Sequence, residues 1–106
     1  MLTIHIYYKG DKGAARAFAS EMISSGIVDQ IRNEKGNLKY EYYFPLEEND
    51  TVLLIDSWEN QEALDRHHNL PVMKKIMELR EKYDLHMKVE RYQSIEEKQD
   101  EKYIRK

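Results

Sequence analysis

A chain of 106 residues with 35% charged residues, a formal net charge of −3 and no cysteine falls within the size of one domain. The absence of cysteine rules out disulfides, thiolate nucleophiles and Cys-ligated zinc. Mild acidity without a basic block leaves no electrostatic footprint for nucleic acid, and the longest apolar run, Val52 to Ile55, is far short of the roughly 20 residues that cross a bilayer.

Residues 2–8 alternate, with Leu2, Ile4, Ile6 and Tyr8 at one parity and Thr3, His5 and Tyr7 at the other. That period of two predicts a strand rather than a signal peptide, and a cytoplasmic protein is the expectation. Gly10 ends the strand and Asp11 is placed to cap a helix. Ala15, Phe18, Ala19, Met22 and Ile23 then recur at helical spacing and predict one buried face. Ser24-Ser25-Gly26 breaks this helix, and Ile27, Val28 and Ile31 predict a further short helical turn.

Gly36-Asn37 opens a second strand, residues 38–46, with Tyr40, Tyr42 and Phe44 on one face. The polar run Glu47 to Asp50 predicts a hairpin turn into a third strand, residues 51–59. That strand is apolar at both parities, with Val52, Leu54 and Trp58 on one side and Leu53 and Ile55 on the other. Asn60 caps a short helix bearing Ala63, Leu64 and His67. Pro71 starts a longer one through Val72, Met73, Ile76, Leu79 and Tyr83, since proline is tolerated in a first turn. A last strand, residues 85–92, alternates Leu85, Met87 and Val89 against His86, Lys88 and Glu90.

The order is β-α-β-β-α-β, an α+β chain of ferredoxin-like type with an antiparallel sheet and helices on one face. Residues 93–106, ten of them charged or amide, form a charged tail or an arm reaching to a partner. Helices cover only one sheet face, yet the third strand is apolar on both. Burial of such side chains is worth about 1.5–3 kcal/mol each, so a second copy of the sheet is expected on the open face, giving a homodimer.

Three stretches resemble the antibiotic biosynthesis monooxygenase family. Glu34-Lys35-Gly36-Asn37-Leu38-Lys39-Tyr40 is similar to that family's entry into strand two. The run Asp56 to His67, with Trp58, Asn60, Glu62, Ala63 and Leu64 between, is similar to its "(E/D)-x-W-x-(S/N)-x-E-A-(L/F)-x-x-H" signature. His68 to Met73 falls where the family often carries a proline-led helix start. With the element order, the resemblance covers residues 1–92. It implies a dimeric α+β barrel with a pocket between sheet and helices in each protomer. The implied activity is oxidation of a quinol or similar small phenolic compound by O₂, with no metal, flavin or other cofactor.

By that resemblance Trp58 and His67 are pocket residues. A cofactor-free oxygenase needs a base to form an electron-rich phenolate and a dry pocket to protect the reactive intermediates. Histidine titrates near neutrality, so His67 is the expected base, Trp58 the wall and Asp56 an orienting group. Tyr7, Tyr40 and Tyr42 are expected to contact substrate. No 2-His-1-carboxylate spacing emerges. The haem-degrading branch of the fold would take His67 or His68 as ligand, but the asparagine it carries on strand one has no counterpart among His5, Tyr7 and Tyr8. A pocket that binds a small aromatic molecule without turnover is the other alternative.

Overall fold

A computed structural model describes residues 1–106. Four strands form one antiparallel sheet: β1 (Leu2–Lys9), β2 (Asn37–Tyr43), β3 (Thr51–Trp58) and β4 (His86–Gln93), in the order β2-β3-β1-β4. Helices α1 (Ala14–Ser24), α2 (Ile27–Arg32), α3 (Gln61–His68) and α4 (Val72–Lys82) connect them. This is the ferredoxin-like α+β arrangement that the alternation and helical periods imply.

The side-chain period of two divides the sheet cleanly. Ile4, Ile6 and Tyr8 of β1 and Val52, Leu54, Asp56 and Trp58 of β3 are all buried on the helix-facing side. They meet Ala15, Phe18, Ala19 and Met22 of α1, Ile27, Val28 and Ile31 of α2, and Val72 and Ile76 of α4. The opposite face, carrying Thr3, His5, Tyr7, Leu53 and Ile55, is only half-buried, because nothing within the chain covers it.

The structure departs from the sequence reading in four places. Ile23 is 54% exposed, because at 100° per residue it lies about 80° around the helix from Ala15, beyond the edge of the stripe. Asp11 does not cap α1: residues Asp11–Gly13 form a 3₁₀ turn and Gly13, at φ 78°, takes the cap position. Strand β2 stops at Tyr43 rather than Leu46, since Pro45 has no N–H to offer the ladder. Phe44 turns out of the sheet to lie 4.3 Å beneath the Arg16 guanidinium. Residues 93–106, expected as a tail or an arm, contain one 3₁₀ turn, Lys98–Tyr103, exposed throughout.

A helix cap and a glycine turn position the site. The Asn60 side chain accepts from Ala63 N at 2.9 Å and starts α3 as expected. Gly36, at φ 89°, makes the turn into β2 directly beneath α3, and its carbonyl accepts from Glu59 N at 2.8 Å. A Cβ there would stand 2.5 Å from the Ala63 Cβ. Gly36→Ala is therefore expected to lose more than the roughly 1–2 kcal/mol of the left-handed conformation alone, because α3 must also retreat. Urea unfolding checks this, and a variant as stable as the native chain would contradict the packing described.

Candidate active site

The antiparallel register sets side chains from all four strands in rows. Asp56 pairs with Tyr40 on one side and Ile4 on the other, and Ile4 pairs in turn with Arg91. Tyr40, Asp56, Ile4 and Arg91 thus form one row facing the helices. The next row is Tyr42, Leu54, Ile6 and Val89. Helices α3 and α4 cross above the β1 and β4 half and leave a cavity of about 310 Å³ between them and the sheet.

Ile4, Ile6, Met87 and Val89 form the cavity floor, and Leu64 and Met73 the roof. Its polar groups are Asp56 and Arg80 deep inside, with His68, Gln61 and Arg91 nearer solvent. Arg80 holds its guanidinium on the phenol of Tyr8, donating from Nε at 3.2 Å and Nη2 at 2.8 Å. Arg91 donates to the Gln61 side chain at the mouth.

Asp56 is the unusual group. It is 5% exposed, and its Oδ1 has no hydrogen-bond partner within the protein. Burial pushes its carboxyl up to about 7, and the nearby Trp58 indole and Arg80 charge only partly oppose that. The Trp58 N–H faces the carboxyl without reaching hydrogen-bond geometry, and it too is left unpartnered. Buried groups of this kind are normally satisfied; these two atoms are closed off from solvent behind the wall, while Asp56 as a residue lines the cavity. Burial also raises the phenols of Tyr8, Tyr40 and Tyr42, which stay protonated at neutral pH.

The sequence-predicted residues separate into three groups. Asp56 lines the cavity. Trp58 and His67 lie together behind it, fully or nearly fully buried, with ring centroids 4.8 Å apart and planes at 31°. His67 does not line the cavity. Its Nδ1 stands 3.0 Å from both carboxylate oxygens of Glu34, and since a carboxylate only accepts, Nδ1 carries the hydrogen. Tyr40 and Tyr42 share the helix-facing side but stand beyond Asp56, outside the cavity wall, with rings edge to face at 5.9 Å. Tyr7 projects from the opposite sheet face, because its parity is that of His5 and not of Ile6.

Sequence reasoning passed over Glu34, Arg80 and Arg91 as site residues and weighed His68 only as a haem ligand. Each carried a signal. Glu34 leads the motif ending at Gly36, Arg80 stands four residues after Ile76 on the buried face of α4, and Arg91 shares the parity of Met87 and Val89. His68 follows His67, and the 100° step that takes it off the core face brings it to the cavity.

A family model, antibiotic biosynthesis monooxygenase, matches residues 1–79. The chain belongs to that family. The matched span contains β1 to β3, α3 and most of α4, and so includes Asp56, Trp58 and His67. Solved structures share its fold. A Deinococcus radiodurans protein described as a candidate antibiotic biosynthesis monooxygenase is 20% identical, with a TM-score of 0.78 over 92% of this chain and 95% of its own. A similarly described protein of Nitrosomonas europaea is 12% identical, with a TM-score of 0.77 over 91% of this chain and all of its own. SnoaB, a cofactor-independent oxygenase from Streptomyces nogalater, is 11% identical, with a TM-score of 0.74 over 92% and 95%. At these identities the likeness establishes fold alone. Among curated proteins, none matches the chain.

The position of Asp56 in this family fold has a consequence for stability. Its carboxyl titrates at about 7 in the folded protein and near 4 in the unfolded chain. Between those values folding takes up a proton, so stability falls as pH rises from about 4 to 7, by up to about 1.4 kcal/mol per pH unit, and levels off above. Asp56→Asn removes this titration. It should be more stable than the native chain at pH 8, with the gain shrinking towards pH 4. Urea midpoints at the two pH values test it, and an identical difference at both would refute the buried-carboxyl account.

Proposed function

We propose that this chain is a monooxygenase that needs no cofactor and oxidises a small quinol or related phenol in the cavity between sheet and helices. The observation that supports this best is Asp56, a buried carboxyl that burial pushes up to about 7, on the wall of a cavity floored by Ile4 and Ile6 that also holds Arg80. SnoaB, with the same fold, is a cofactor-independent oxygenase.

In this reading the base is Asp56 and not His67. A base must reach the proton it removes, and His67 is shut behind Trp58 and tied to Glu34. Asp56, titrating at about 7, takes the phenolic proton, and the Arg80 guanidinium stabilises the phenolate. The phenolate passes one electron to O₂, and recombination at a ring carbon gives a hydroperoxide. Loss of water breaks the O–O bond, so quinol plus O₂ yields hydroxyquinone plus water. The ring supplies all the electrons: Asp56 returns its proton to the peroxide to give the hydroperoxide, then takes the hydrogen of the attacked ring carbon as a proton while the carbonyl forms, and passes it to the departing hydroxide as water. Ile4, Ile6 and Leu64, all buried, keep bulk water from the intermediates. Glu34 and His67 act at one remove, fixing Trp58 and through it the side of the carboxyl away from the cavity. Tyr40 and Tyr42 serve as packing beneath.

The protein works as a homodimer in this proposal, joined through the uncovered sheet face. The support is the chemistry of that face: Leu53 and Ile55 lie half-buried at its centre, and His5 and Tyr92 pack with ring centroids at 4.8 Å.

O₂ consumption with freshly reduced hydroquinones tests the chemistry. Uptake above autoxidation should fall about 10²–10⁴-fold in Asp56→Asn, the usual worth of a positioned base, and in the native enzyme should rise through pH 7 as Asp56 ionises. His67→Ala should retain more activity than Asp56→Asn. Uptake that survives in Asp56→Asn, or never exceeds autoxidation with any quinol, would overturn the reading.

A further inference from the structure

The cavity contains more positive charge than its own residues neutralise. Arg80 and Arg91 are its two guanidiniums, and neither stands within ion-pair distance of a carboxylate anywhere in the chain. Their partners are neutral, the Tyr8 phenol for Arg80 and the Gln61 amide for Arg91. Arg80 has a deep, fixed place beside Asp56. Arg91 sits at the mouth, and its partner lies on the first turn of α3, where either side chain can turn aside. Burial and the neighbouring His67 ring hold the pKa of His68 below its usual value, so it is neutral there and can donate one hydrogen bond.

Register fixes how far apart these groups stand. Asp56 and Arg91 occupy the same row with Ile4 between them, so their backbones are two strand spacings apart, roughly 10 Å. A benzene ring laid over Ile4 fills that interval, with a hydroxyl at Asp56 and its far side at Arg91. A guanidinium offers a planar pair of donors that matches a carboxylate or phosphate. An uncharged quinol would leave that pair on the Gln61 amide alone.

We infer that the physiological ligand is an acidic phenol, a one- or two-ring quinol bearing a carboxylate or phosphate that Arg91 grips at the mouth while the oxidisable hydroxyl lies at Asp56 and Arg80. The inference rests on the oxygenase reading only for which end of the ligand reacts. The acid group sets orientation: it pulls the ring in by one end and presents the opposite carbon edge to the deep carboxyl. Arg91 is a specificity residue here and takes no part in proton or electron transfer.

Anaerobic calorimetry separates this from the oxygenase question, because binding is read without turnover. The probes are hydroquinone, 2,5-dihydroxyphenylacetate and 4-hydroxyphenyl phosphate, titrated into the native chain, Arg91→Gln and Arg91→Lys. At least one acidic probe should bind about tenfold or more tightly than hydroquinone. That preference should vanish in Arg91→Gln, return in part in Arg91→Lys, and weaken with added salt. Which acid binds more tightly decides between carboxylate and phosphate. Arg91 is exposed, so all three proteins should give the same far-ultraviolet circular dichroism. Equal affinity for the neutral and acidic probes, a preference that persists in Arg91→Gln, or no binding of any probe would overturn the inference. O₂ uptake with neutral quinols alongside equal affinities would overturn it while leaving the oxygenase intact.

Discussion

Placing a carboxyl in the third strand, on the face that packs against helices, governs much of what surrounds it. A buried Asp56 without a full set of hydrogen bonds opposes folding wherever it ionises, and the protein absorbs that by letting the group keep its proton to about pH 7. The packing around it is correspondingly dense. Trp58 closes one side, Tyr40 lies across the β2 neighbour, and Ile4 lies across β1. Only the direction towards α3 and α4 is open, and that opening is the cavity. The same burial that weakens the fold leaves a group able to accept a proton near neutral pH in an apolar space.

The support behind that carboxyl is a chain of contacts reaching to the Gly36 turn. Gly36 adopts a left-handed backbone where a side chain would strike Ala63, so α3 can settle close to the start of β2. That closeness brings Glu34 under His67, fixes the imidazole by its Nδ1 and lays its ring against Trp58. The tilted ring contact at 4.8 Å and the packing around Trp58 hold the indole from two directions. Arg32 contributes from the other end of the same turn, donating twice to the Tyr40 carbonyl at 3.0 and 2.8 Å. In this way β2 and α2 are locked together on the side of the site away from solvent.

Much of the fold was legible because its signals are local. Alternation in β1, β3 and β4, the stripe of α1, the Asn60 cap and the Pro71 start all depend on residues within a few positions of one another. The misreadings were also local competitions that pattern alone misjudges, such as Ile23 at the margin of a stripe and Pro45 ending β2 under an apparently continuous apolar run. The site was legible in part. Parity put Asp56 and Trp58 on one face. The assignment of His67 to the cavity followed helical proximity, and the structure directs that ring to Glu34 instead, 33 residues away.

The sequence by itself determined the element order, the two faces of each strand and the family, because periodicity and short motifs are properties of neighbouring residues. It also determined that no thiol chemistry is possible. Only the tertiary structure decided which of two adjacent histidines meets the cavity, that Tyr7, Tyr40 and Tyr42 do not line it, and that Arg80 and Arg91 reach it from α4 and β4. Those outcomes depend on strand register and on how α3 and α4 cross the sheet, and both are set by packing among residues tens of positions apart. The physical character of Asp56 depends on the same packing. An aspartate at a strand position reads as a surface carboxylate until the helices above it remove the water.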